Sequence, residues 1–105
     1  MNRKEFFIGL IWQTDRLRFS IDTEQGKVVN FVAQYETWLT GKWQAVVRYD
    51  FAHSFFHRDL TNPDGEQEKT PIDIQDRGQA LDYAKNDLIA NWQQYLERYT
   101  NRMKQ

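Results

Sequence analysis

Period-two alternation in the first half, an apolar stripe at spacings of three and four in the last third, and a proline-bearing turn between them predict an α+β fold. The expected architecture is an antiparallel β-meander of four to five strands with a long C-terminal helix packed on one face. The 105 residues have room for one domain, residues 1–105, and contain no repeat, low-complexity tract or linker. Mean hydropathy of -0.83 with 28% charged residues resembles a disordered chain. Sixteen aromatics (4 Trp, 5 Tyr, 7 Phe) argue for a packed core instead.

The chain begins with an apolar run at residues 5–12, EFFIGLIW, which reads as a buried strand or a short helix. It is too short to span a bilayer. Arg3 and Lys4 precede it as in a signal peptide, but Gln13, Thr14, Asp15 and Arg16 cut it off and no small-x-small cleavage site follows. The expected location is cytoplasmic, without membrane contact. In residues 17–21, Leu17, Phe19 and Ile21 alternate with Arg18 and Ser20. In 28–39, Val29, Phe31, Ala33, Tyr35 and Leu39 share one side, opposite Asn30, Gln34 and Glu36. In 43–51, Trp43, Ala45, Val47, Tyr49 and Phe51 alternate with Gln44, Arg48 and Asp50, which places Trp43 on the core face. Gly26 and Thr40-Gly41 supply the turns between these runs. Pro63-Asp64-Gly65 predicts a hairpin between a strand near 54–60 and another near 67–73.

The last third changes period. Leu81, Ala84, Leu88, Trp92, Tyr95 and Tyr99 form one stripe, predicting a helix over 77–102. Asp76 is placed to cap it, with Gln79 three residues on. Arg98, Arg102 and Lys104 at its end suit the macrodipole. Leu81, Leu88, Trp92 and Tyr95 are expected to be buried against Phe31, Tyr35, Val47 and Tyr49.

Charge and composition narrow the function. Lys+Arg total 14 against 15 Asp+Glu, a net charge of -1 that excludes an obligate polybasic binder while permitting a local basic patch. No cysteine is present, which excludes disulfides, thiolate zinc sites and thiol nucleophiles. Phosphate-binding glycine loops, serine elbows and calcium loops are absent.

Both histidines, His53 and His57, lie in the segment 46–60, together with Arg48, Asp50, Arg58 and Asp59. Their i, i+4 spacing places both on one face of a strand or a helix. That arrangement suits a shared metal ion, or an acid and a base flanking one substrate atom. The metal reading lacks a recognised ligand spacing, since HExxH would need glutamate where Ser54 stands; no metal or cofactor is expected. In the metal-free reading His53 and His57 move protons at a phosphodiester and Arg48 or Arg58 holds the phosphate. Asp50 orients one imidazole, and Lys69 and Asp59 bind substrate. Convergence of Asp50, His53 and His57 then requires a bend or bulge between Phe51 and Phe55, because an unbroken strand keeps Asp50 on the other face. A plainer reading stands beside it: an Arg48–Asp50 surface salt bridge, with the histidines packed against Phe55 and Phe56.

Residues 43–60, WQAVVRYDFAHSFFHRDL, resemble the signature of a family of small uncharacterised bacterial proteins, W-x-x-V-V-R-Y-D-x-A-H-G-x-x-H-R-D-L. The likeness continues through Pro63-Asp64-Gly65, Lys69, and Asp87-Leu88 with Asn91-Trp92 and Tyr95. Ser54 replaces the signature glycine, so a different backbone conformation is expected after His53. The R-Y-D-x-A-H-x-x-x-H core is also similar to the motif of TumE-type toxins of bacterial toxin–antitoxin pairs. That second resemblance implies a toxin-like, RNA-directed enzyme with an antitoxin-like protein partner and RNA as substrate. The alternative is a non-catalytic interaction module. Its second sheet face, with Arg18, Asn30, Gln34, Trp38 and Arg48, would dock a partner protein or a second copy as a homodimer.

Overall fold

Alternation and turn chemistry carry the chain through an unbroken meander. The computed structural model describes residues 1–104; Gln105 and the side chain of His53 lie outside the described residues. Strands β1 (Asn2–Ile11), β2 (Asp15–Glu24), β3 (Lys27–Leu39) and β4 (Lys42–Asp50) lead to a 3-10 turn, Ala52–Ser54. Then come β5 (His57–Thr61), β6 (Gln67–Pro71) and the helix α1 (Arg77–Met103). All neighbouring strands pair antiparallel, and their spatial order is their sequence order. The expectation of four to five strands falls short of the six observed. The addition is β1: the apolar run pairs with β2 from Asn2↔Thr23 to Ile11↔Asp15, so it is a strand at a sheet edge.

The helix starts where its cap predicts, with Asp76 Oδ2 accepting from the Gln79 N–H at 2.9 Å. It packs over β3 and β4. Ala80, Ala84, Leu88 and Tyr99 are buried there, and the two alanines allow a close approach. Leu81, Trp92 and Tyr95, expected to be buried, are half-buried, and the Trp92 ring meets Tyr35 edge-on at 5.8 Å. The sheet contributes Leu17, Phe19, Phe31, Ala33, Tyr35, Val47 and Tyr49 to this core, with Phe56 from the β4–β5 connection.

One carboxylate gathers several polar groups inside this layer. Asp87 Oδ2 accepts from Tyr49 and Tyr95 hydroxyls at 2.6 Å each, and Oδ1 accepts from Asn91 at 2.8 Å. Burial first, then the Asp87 carboxylate, push both phenols above their ordinary range.

One irregularity redirects a strand. Tyr35 pairs with Val47 but Glu36 pairs with Ala45, leaving Val46 as an extra residue in β4. This bulge reverses the facing of residues 42–45 relative to 47–50. Trp43 therefore leaves the expected core face and stands opposite Trp38 on the helix-free side, their rings 5.5 Å apart and edge-on.

Candidate functional site

The motif segment does not run on as one strand. After Asp50 the chain turns sharply: Asp50 Oδ1 accepts from the Ala52 N–H at 3.1 Å, and the Phe51 carbonyl accepts from the Ser54 N–H at 3.1 Å. The backbone then re-enters the sheet as β5, so that Asp50 lies directly across from His57. The connection is a hairpin, where a bend or bulge within one strand was expected. Cross-strand pairing brings the two side chains together because paired residues share a face.

Ser54 holds the turn with φ +69°, the left-handed region that glycine enters without strain. The conformation expected of the signature glycine is thus kept, contrary to the expectation from the Ser54 replacement. Ser54→Gly should therefore stabilise the fold by about 0.5–1 kcal/mol, the strain relieved less the added chain entropy. Chemical denaturation checks this, and a variant less stable than the parent would contradict it.

On the helix-free face β4, β5 and β6 assemble a charged cluster. His57 Nε2 sits 2.7 Å from Asp50 Oδ1 and 3.4 Å from Asp59 Oδ2. Asp50 Oδ2 accepts from Arg48 Nε at 2.7 Å, and Lys69 Nζ is 3.5 Å from Asp59 Oδ1. His57 is 0% exposed, with Phe55 tilted across its ring at 5.2 Å and its Nδ1 3.3 Å from the Phe55 carbonyl. Although both carboxylates are close, the Nε2 site lines up with no acceptor as a hydrogen bond among the described residues. The contact is an ion-pair proximity, short but poorly directed. Burial, the largest influence, pushes the Asp50 carboxyl up. The Arg48 bond, the Ala52 N–H and the charges of His57 and Arg48 outweigh it and hold Asp50 below the usual carboxylate range.

The structure thus brings Arg48, Asp50, His57, Asp59 and Lys69 together and separates Arg58 from them. Arg58 pairs with Tyr49 and Thr70, so it points into the helix side, where its Nη1 donates to Tyr95 Oη at 3.2 Å. A neighbour in sequence is on the opposite face of a strand. The expectation for the His53 side chain lies outside the described residues. No group of three or more His, Asp or Glu among the described residues is placed to hold a metal ion. Among the described residues no helix is long and apolar enough to cross a membrane.

The same face continues toward β1 through Gln34 and Trp38, expected on the docking face, and through Arg16, Glu36 and Phe7, which were not singled out for it. Arg16 Nε donates to Glu36 Oε1 at 2.8 Å, and Gln34 donates to Glu36 Oε2 at 2.6 Å. The Arg16 guanidinium lies between two rings, 4.2 Å from Phe7 and 3.9 Å from Trp43. Arg16 is cross-strand from Glu36, a pairing that follows from register and leaves no local motif. Phe7 is 56% exposed, Trp38 43%, and Trp12, in the adjoining β1–β2 turn, 85%. Gln13, Thr14, Trp38 and Trp43 line an open groove of about 510 Å³ at this end of the sheet.

Over residues 1–105 the chain matches the family described as a domain of unknown function (DUF7718), and it belongs to that family. No curated protein and no solved structure matches it.

Proposed function

We propose that the chain is a non-catalytic interaction module whose helix-free sheet face docks an extended protein segment carrying apolar and acidic side chains. The observation that carries this reading is Arg18, set across from the exposed Phe7 on the face that also presents Trp38, with Trp12 in the adjoining turn. Most other charges on this face pair with one another, as Arg3–Asp22, Arg16–Glu36, Arg48–Asp50 and Lys69–Asp59 do. Glu5, across from Ser20, is the exposed carboxylate of this face near Arg18. Arg18 is exposed and makes no ion pair among the described residues. A guanidinium outside any ion pair and across from an exposed ring suits a carboxylate flanked by apolar side chains. A phosphate backbone is served less well, since its binding needs a run of uncompensated positive charge and this face is internally neutralised.

A second reading rests on the Asp50–His57 contact: acid–base chemistry at a phosphodiester, with Asp50 orienting the imidazole and Arg48 holding the phosphate. It requires the Phe55 cover over His57 to open.

Titration calorimetry with defined extended peptides distinguishes the two. Peptides alternating leucine with glutamate should bind, their lysine counterparts should not, and Arg18→Glu or Trp38→Ala should cost at least tenfold in affinity. Equal binding of acidic and basic peptides, or none, would overturn the docking reading. RNA cleavage by the parent that His57→Ala abolishes at a temperature where the variant is still folded would install the second.

A further inference from the structure

We propose that β1 is an assembly edge: two copies of this chain pair antiparallel through β1 to form one continuous twelve-stranded sheet. The inference rests on the contrast between the two ends of the sheet and is independent of the docking reading, which concerns the face.

The far edge, β6, is protected. It is five residues long, reads QEKTP, carries Glu68 and Lys69, and ends in Pro71. Short length, charge and proline are the devices by which edge strands avoid pairing. The near edge is less guarded: its charges are confined to Arg3, Lys4 and Glu5, and its one irregularity is a register shift between Gly9 and Ile11. β1 is ten residues long, and from residue 6 to 11 it reads FFIGLI, without charge or proline.

Its side chains are apolar on both faces. Phe6 and Ile8 lie on the helix side and are half-buried, while Phe7 is exposed on the other side. In the single chain β1 has a neighbour, β2, on one side alone among the described residues. The helix packs over β3 and β4 and gives the outer strand little cover. A long edge strand with an apolar, uncharged stretch is a template for a further strand. Its outer row of backbone N–H and C=O groups is open in the monomer and paired in a dimer.

Charge placement selects a second copy as the occupant. An antiparallel pairing about a two-fold axis at Ile8 sets residues 6–10 of each copy against residues 10–6 of the other, all of them uncharged. Glu5 falls opposite Ile11 of the second copy, and Arg3 and Lys4 pass beyond the end of its β1 toward the β1–β2 turn, so no like charges meet within the paired strands. The two-fold axis makes the contact self-limiting, because pairing consumes both β1 edges and leaves only the protected β6 edges.

Sedimentation velocity of the full chain over a concentration series tests the assembly. The expected result is a reversible species of twice 12.7 kDa, lost in Ile8→Lys, which sets two ammonium groups at the axis. Because Ile8 also packs against the core, a second measurement stands beside this one. The chain has no native cysteine, so Ile8→Cys should crosslink to a dimer under mild oxidation while Glu68→Cys on β6 should not. A single 12.7 kDa species at every concentration, or equal crosslinking from both positions, would overturn the proposal. Acidic-peptide binding by a chain that stays monomeric would leave the docking reading standing alone.

Discussion

Phe56→Ala should lower the unfolding free energy by about 3–5 kcal/mol, the range for emptying a large aromatic site in a core. Phe56 is 1% exposed and stacks on Tyr49 and Phe51 with ring centroids 5.5 and 5.2 Å apart. Phe31 and Tyr83 close over it at 5.9 and 6.1 Å. It ties the β4–β5 connection to both the sheet and the helix, as Phe51 does through Phe31 and Arg77, so large rings wall the cavity and give it little means of collapse. Against the 5–15 kcal/mol typical of a whole domain, the loss would leave a chain close to unfolding at 37 °C. Urea denaturation measures it, and a loss under about 1 kcal/mol would show that the connection closes over the gap. Phe55→Ala, one residue away, removes a side chain that is exposed and packs on His57. It should cost much less, which separates core packing from the cover over the imidazole.

The difference between these neighbours marks how far the sequence was legible. α1 was legible almost to its ends, because spacings of three and four and the Asp76 cap are local signals that packing reinforces. β2, β3 and the 47–50 half of β4 were legible for the same reason, each alternation fitting one buried face. What escaped is what register decides. Val46 has the same chemistry as Val47, and nothing nearby in sequence marks it as the bulged residue that carries Trp43 to the other face. The run at residues 5–12 fits a strand or a helix equally until β2 is placed beside it. Within the motif, composition drew Arg58 and Asp59 together as candidates, and strand pleating put them on opposite faces. The Asp50–His57 contact was expected through a bulge and arises through a hairpin, since a seven-residue separation closes across a turn as readily as along a distorted strand.

Removing one member of the buried cluster should show that this end of the sheet is held by charge. Asp50→Asn takes a carboxylate from both Arg48 and His57, whose imidazole is enclosed. Breaking a buried pair by deleting one partner costs about 3–5 kcal/mol, because the remaining group stays desolvated. His57→Ala should cost a similar amount, as it leaves Asp50 and Asp59 without the ring between them. The double variant should lose less than the sum of the two, since each substitution removes the same contact. The pH dependence carries a definite sign. Asp50 titrates below its ordinary value of 3.8 in the folded chain. Its contribution is therefore fully present above pH 3.8 and is lost as the pH falls through the depressed folded value. The deficit of Asp50→Asn relative to the parent should shrink on moving from neutral pH to strong acid, measured by urea midpoints across that range. A deficit independent of pH, or losses that add fully in the double variant, would mean that Asp50 and His57 act as separate packing elements. A shrinking deficit with strong coupling would identify the Arg48–Asp50–His57 clamp as the device that fixes the hairpin, holding β5 in register so that the helix-free face is presented as one rigid surface.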